Sequence, residues 1–202
     1  MPNPFSGPAP VTIIASGNPI PFITPYRFPT GKLLKPPTEH ALRPMILVMC
    51  GSFSPMTMIH MSMFKQATEW VHQNTHYRIC GKYVSPALDV SANREPIPTS
   101  QRLEICRMAA DADQMLMVDD WETRQILPAK TALALHHFRS EIMTAYMNEP
   151  RLRKNTFNPL TMKIMLLAGP GLADSMLDPK VWSEIDVHYI LTTHGMVSSC
   201  CP

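Results

Sequence analysis

Between Gly51 and His60 the chain reads GSFSPMTMIH, and these residue types at these spacings suit the holding of a phosphate. An apolar run, Met45 to Cys50, breaks at Gly51, as a strand does when it gives way to a loop and then a helix. Ser54 suits the cap position and Pro55 the first helical position, so a helix is expected from Pro55 to about His72. Free N–H groups at such a start, backed by the helix dipole, attract phosphate. Thr57 and His60 stand three residues apart and share a face of that helix, so a ligand over one reaches the other. Against this stands the plain alternative, in which His60 is an ordinary surface or core residue and Met56, Met58, Met61 and Met63 are packing.

Other candidates for chemistry are weaker. Gly169-Pro170-Gly171 has the start of a dinucleotide fingerprint, but the third glycine would fall at position 174, which is Asp174, and Pro170 hinders the tight first turn. A nicotinamide-dependent oxidoreductase is therefore disfavoured. His136 and His137 are adjacent on a predicted helix, where neighbours diverge by about 100°, so they do not share one ion and read as surface histidines. Cys50, Cys80, Cys106, Cys200 and Cys201 show no C-x-x-C pair and no zinc spacing, so no metal site is expected and a reducing compartment is the simpler setting. The final Ser-Cys-Cys-Pro has serine where a prenylation box needs cysteine.

The elements that must position these residues alternate. Residues 1–44 hold about half of all the prolines with neither helical nor strand period, and are expected to form a largely disordered, unpacked arm. From residue 45 to 202 the composition is that of a folded domain. Met45 to Cys50 reads as a buried parallel strand, followed by the helix just described, a strand from Tyr77 to Val84 and a polar loop from Ala87 to Pro98. Thr99 or Ser100 is expected to cap a helix to about Ala110, and Met115 to Val118 reads as a short strand running into Asp119-Asp120-Trp121-Glu122. Leu135, Phe138, Ile142 and Tyr146 make a helical stripe within Ala129 to Met147. Met162 to Ala168 is the clearest strand, then comes Gly169 and another helical stretch, and Met196-Val197-Ser198 looks like the beginning of a further strand. This order predicts an α/β fold with a parallel sheet and crossover helices.

Bulk properties exclude some functions. With 202 residues, 45% of them hydrophobic, the chain can bury one core, and a net charge of +2 is too mild for a nucleic-acid footprint. The N-terminus lacks a charged n-region with an apolar h-region, and no apolar run approaches a membrane span. A soluble intracellular protein with no membrane partner is expected, nucleus and cytosol not being separable. Assembly as a homo-oligomer is compatible with this composition.

The whole string GSFSPMTMIH resembles the GSF-x-P-x-T-x-x-H signature of the eukaryotic nicotinamide mononucleotide adenylyltransferases, a branch of the nucleotidyltransferases. Upstream, YRFPTGKL is similar to the fungal branch. VSPALD, the arginine of SQR, MVDDWE, MKIMLLAG and VWSEID follow in the family's order, so the resemblance covers about residues 26 to 197. It implies a Rossmann-like nucleotidyltransferase fold, a parallel sheet with helices on both faces. It implies transfer of AMP from ATP to nicotinamide mononucleotide, giving NAD and pyrophosphate, with Mg²⁺ neutralising the phosphates. In that family Gly51, Ser52 and Phe53 would lie against the dinucleotide through their backbone, and His60, the catalytic candidate, would contact the ATP phosphates with Thr57 and Arg94 near them. Trp121 and Trp182 would hold the nicotinamide ring, with Glu122 and Gly169 beside it. The ring is a cationic pyridinium, and indole faces are the best cation–π partners among side chains, although either tryptophan alone reads as core packing. Glu122 reads equally well as an exposed carboxylate at a helix start, and Gly169 as a glycine needed for close backbone approach.

Three departures temper the resemblance. Where the family has a tyrosine and consecutive lysines, this chain has Ser91, Ala92, Asn93 and Arg94, of which only Arg94 is basic. The family's G-A-D is Gly169-Pro170-Gly171 here, with Asp174 three residues on. The family's later S-x-T-x-x-R motif is absent, so the domain is expected to be incomplete, its C-terminal part missing. The alternative to an adenylyltransferase is thus a truncated or diverged nucleotide-binding homologue without turnover.

Overall fold

The computed structural model describes residues 25–39, 41–88, 97–153 and 157–198. Five strands form one wholly parallel sheet in the order β3-β2-β1-β4-β5. They are β1 Arg43–Gly51, β2 Tyr77–Pro86, β3 Leu116–Val118, β4 Lys163–Ala168 and β5 Met196–Ser198. The longer helices are α1 Met58–Asn74, α2 Thr99–Asp111 and α3 Thr131–Asn148, with two single-turn helices, α4 Pro170–Ser175 and α5 Glu184–Tyr189. The chain runs outward from β1 through β2 to β3, then returns across the sheet by α3 to place β4 on the other side of β1. This reversal beside β1 is the arrangement of a Rossmann-like fold.

β1 reads as an unbroken apolar run because both of its faces are covered. Ile46 and Val48 face one cluster with Tyr83, Leu135, Phe138 and Ile164, the side of α3. Met45, Leu47 and Met49 face the other, with Phe64, Val71 and Cys106, the side of α1 and α2. A bulge interrupts the β1–β2 register at Met45/Ile46, where Cys80 is the extra residue on β2. Next to it, a Cβ on Gly81 would stand 2.6 Å from Leu33 Cδ2, so the segment before β1 presses directly onto the sheet there.

That contact corrects the expectation of an unpacked arm as far as residue 44. Phe28 and Leu33 are core residues. Tyr83 donates its O–H to Pro29 O at 2.7 Å and Tyr146 to Leu34 O at 2.6 Å, while Lys32 Nζ donates to Ala110 O and Asp113 O at the end of α2. The prolines deny this segment a periodic hydrogen-bond ladder, so it shows no pattern; side chains of the core satisfy its carbonyls instead. Residues 1–24 of the expected arm lie outside the described residues.

Candidate functional site

The cleft lies at the C-terminal ends of β1 and β4, between the two strands where the topology reverses. It measures about 220 Å³ and is lined by Cys50, Gly51, Ser52 and Phe53 after β1, His60 and Met63 of α1, and Gly169 after β4. Whole ligands commonly occupy roughly 300–1,000 Å³, so this space suits one part of a nucleotide. A Cβ on Gly51 would stand 3.5 Å from the Phe53 ring and one on Gly169 3.5 Å from Met63 Cε, both ordinary contact distances. Within the chain, a Cβ on Gly169 would therefore meet only the Met63 side chain.

The loop differs from expectation at the helix start. Thr57 is the N-cap and α1 begins at Met58, while Ser54 and Pro55 belong to the preceding turn and are joined by a cis peptide bond. Phe53 adopts φ 45, a left-handed conformation uncommon outside glycine, and buries its ring edge-on against His60 at 5.3 Å. Thr57 is the better cap because its N–H donates to His60 Nδ1 at 3.0 Å, with its Oγ1 also 2.9 Å from that nitrogen. Nδ1 is thus an acceptor, which leaves the neutral imidazole's proton on Nε2. Burial lowers the His60 pKa below its usual value, in keeping with a neutral ring. His60 is accordingly a fixed, uncharged N–H donor at the edge of the cleft.

Arg102 holds the loop from beneath. It is completely buried, donates through Nη1 to Ser52 O, and through Nη2 to Ala87 O at 3.0 Å and Thr99 Oγ1 at 3.1 Å. One guanidinium therefore ties the loop after β1 to the end of β2 and the start of α2. Pro98, not Thr99 or Ser100, is the N-cap of α2, since the Thr99 hydroxyl accepts from Arg102.

Beyond β2 and β3 lies a second, buried corner. Glu122 is 2% exposed, not the exposed carboxylate its place in a one-turn helix suggested. It accepts from Ser85 Oγ at 2.5 Å and hydrogen-bonds Cys50, so it joins the ends of β1 and β2. Burial pushes its pKa up to about 7, and it is the cause, with the nearby carboxylate, of a raised Cys50 thiol pKa. Trp121 is partly exposed and stacks flat on His137, ring centroids 4.3 Å apart and planes 9° from parallel. His137 is only 9% exposed at its side chain and bonds Asp119, so of the two expected surface histidines only His136 is one.

Trp182 stands apart from the cleft. It packs at the edge of the core, gives its indole N–H to Ser175 Oγ at 3.0 Å and lines a groove with Met176, Ile185 and Leu191. Asp174 is exposed on α4 and does not line the cleft. Arg94, with Ser91, Ala92 and Asn93, lies outside the described residues. Among the described residues no cluster of His, Cys, Asp and Glu could hold a metal ion, and no helix is long and apolar enough to cross a membrane.

Residues 48–190 match the cytidylyltransferase-like family model. The chain belongs to that family. Among its cytidylyltransferase-like relatives, the nicotinamide/nicotinic acid mononucleotide adenylyltransferase 2 of Saccharomyces cerevisiae is 36% identical over 86% of this chain and 43% of its own length. The Schizosaccharomyces pombe nicotinamide/nicotinic acid mononucleotide adenylyltransferase is 37% identical over 87% of this chain and 46% of its own. The Bos taurus nicotinamide/nicotinic acid mononucleotide adenylyltransferase 2 is 32% identical over 79% of this chain and 74% of its own. The chain thus spans less than half the length of these fungal relatives.

In this cytidylyltransferase-like domain, sequence reading named Gly51, Ser52, Phe53, His60 and Gly169, all of which line one cleft. It missed Arg102 as the loop's anchor, and it missed Ser85, Asp119, Tyr26 and His137 behind Trp121 and Glu122. Signals existed for Arg102, the arginine of SQR, and for Tyr26, Ser85 and Asp119, which stand in YRFPTGKL, VSPALD and MVDDWE, but not for His137. Apart from those of Arg102, their hydrogen bonds run across 18 to 111 residues of chain, so no short string shows that they meet.

Proposed function

We propose that the chain is an adenylyltransferase of pyridine nucleotides, joining AMP from ATP to nicotinamide mononucleotide in NAD biosynthesis. A 5′-phosphate oxygen of the mononucleotide attacks the α-phosphorus of ATP, a new P–O bond forms, the α–β bridging bond breaks, and pyrophosphate leaves with its electron pair. The observation that carries this is His60, held neutral with Nε2–H free at a glycine-ended cleft on the sheet's reversal point. There it donates to the ATP phosphates as charge moves onto the leaving group, while Gly51, Ser52, Phe53 and Thr57 line the path and Arg94 adds charge. Trp121 takes the pyridinium ring with Glu122 beside it, Gly169 borders the same nucleotide from the cleft side, and Trp182 would have to close in from its groove to reach the ring. The relatives' names support the substrate class. Mg²⁺ would come with ATP as the counter-ion of its phosphates. The partners are these small nucleotides, and the reduced Cys50, Cys80 and Cys106 fit an intracellular setting.

The test is pyrophosphate release with NAD formation by the 202-residue chain given ATP, nicotinamide mononucleotide and Mg²⁺, beside His60→Ala. Turnover that falls by about a hundredfold or more in His60→Ala supports the proposal. A folded chain that binds ATP yet forms no NAD contradicts it.

A further inference from the structure

Trp121 rests on a closed triangle of side chains to which the proposed reaction assigns no task. His137 covers one indole face, 4.3 Å away and nearly parallel. Its Nε2 lies 3.1 Å from Asp119 Oδ2 and 2.8 Å from the Tyr26 hydroxyl, and that hydroxyl donates to Asp119 Oδ1 at 3.0 Å. A phenol has one proton, and with it given to Asp119 the imidazole Nε2 must carry its own and donate to the carboxylate and the phenol oxygen. Tautomer and ring plane are both fixed. The three members come from the segment before β1, the loop after β3 and α3.

Each corner is in turn held. Asp119 is completely buried, and its N–H reaches Val84 O of β2 at 3.0 Å. The Arg124 guanidinium lies 5.8 Å from the Tyr26 ring centroid and is itself pinned by Asp120 at 2.8 and 2.7 Å. Phe28 and Phe138 meet the imidazole edge-on at 6.0 and 5.8 Å. The imidazole cannot tip, so the indole stacked on it presents a fixed plane. A ring ligand gains most from a platform that need not be ordered on binding.

We propose that His137, held by Asp119 and Tyr26, is a positioning residue that sets the plane of Trp121 against the pyridine ring of the mononucleotide. It thereby governs affinity for that substrate and not for ATP. The inference rests on the ring-binding role of Trp121 given above.

Calorimetric titration of the full chain with nicotinamide mononucleotide and, separately, with ATP tests it, with near-UV circular dichroism as a second readout. His137→Ala should weaken the mononucleotide by about tenfold with ATP changed less than about twofold, and Tyr26→Phe by about threefold. His137→Gln, which keeps an N–H where Nε2 stood, should recover most of the loss. The tryptophan band lost in Trp121→Ala should also shrink in His137→Ala. Unchanged mononucleotide affinity in His137→Ala, or equal weakening of both nucleotides, would overturn the positioning role. Trp121→Ala separates the two levels. If it weakens the mononucleotide and His137→Ala does not, the ring site stands and the positioning role falls; if neither does, or the wild type binds no mononucleotide, both fall. Should His137→Ala fail to fold, Tyr26→Phe and His137→Gln still decide, since equal effects on both nucleotides in Tyr26→Phe contradict the proposal.

Discussion

Around the cleft between β1 and β4, glycines, a strained turn and a single histidine behind the helix cap face the space, whereas around Trp121 the structure is a mesh of buried and half-buried side chains from five separate segments. The first region relies on backbone shape, which residues close in sequence can specify. The second relies on charge and ring orientation inside the core, where a carboxylate needs donors from distant parts of the chain. The cleft resembles a phosphate site, in which main-chain N–H groups and a helix start suffice. The Trp121 corner resembles a ring site, in which a flat surface must be held still.

The largest effect should come from the residue that anchors the first region from beneath. Arg102→Met removes the donors of Ser52 O, Ala87 O and Thr99, all inside the fold. It should cost about 3 kcal/mol or more by urea unfolding and release the loop at Gly51. A loss below about 1 kcal/mol would mean that Arg102 does not hold the cleft loop in place.

This division also explains what was legible. The order of strands and helices follows from apolar runs and stripes, and the element boundaries differ from expectation by only a few residues. His60 was found from a local string, but its cap was misplaced to Ser54, because cap propensity cannot foresee that Thr57 N–H would find His60 Nδ1. Residues 25–39 were misjudged because proline content says only that a segment lacks a ladder. Whether Phe28 and Leu33 reach a core is decided by what the core offers them. The surface reading of His137, and the exposed-carboxylate alternative for Glu122, fail for the same reason: the two are drawn inside by Ser85, Cys50, Asp119 and Tyr26, none of them an adjacent residue.

The next effect distinguishes the regions by pH. Burial raises the Glu122 pKa from 4.5 to about 7, so between those values the folded state binds more protons than the unfolded one. Its contribution is full below 4.5 and is lost as pH rises through about 7, a change of about 3 kcal/mol. Glu122→Gln should flatten the dependence of the urea midpoint over this window; an unchanged slope would show that Glu122 is not the group responsible.

His194 supplies a control outside both regions. It is completely buried beside β4, and burial lowers its pKa from 6.5 to about 4 although a backbone hydrogen bond with Ile164 opposes the shift. Here the sign reverses: the neutral ring contributes above 6.5, and stability is lost as pH falls toward and through about 4. His194→Phe should remove that acid sensitivity and leave both nucleotide affinities unchanged.

The smallest effect is at the cap itself. Thr57→Val keeps the N–H bonded to His60 but deletes the hydroxyl, and should cost about 0.5–1 kcal/mol in thermal unfolding. A loss several times larger would make the hydroxyl, not the backbone N–H, the group that holds His60.

The division of labour between the regions is tested most directly by titrating ATP and nicotinamide mononucleotide separately into His60→Ala and Trp121→Ala. A crossed pattern is predicted: His60→Ala weakens ATP by about tenfold and spares the mononucleotide, and Trp121→Ala does the reverse. If each substitution weakens both nucleotides alike, or His60→Ala spares ATP, the cleft and the Trp121 corner do not divide the substrates between them.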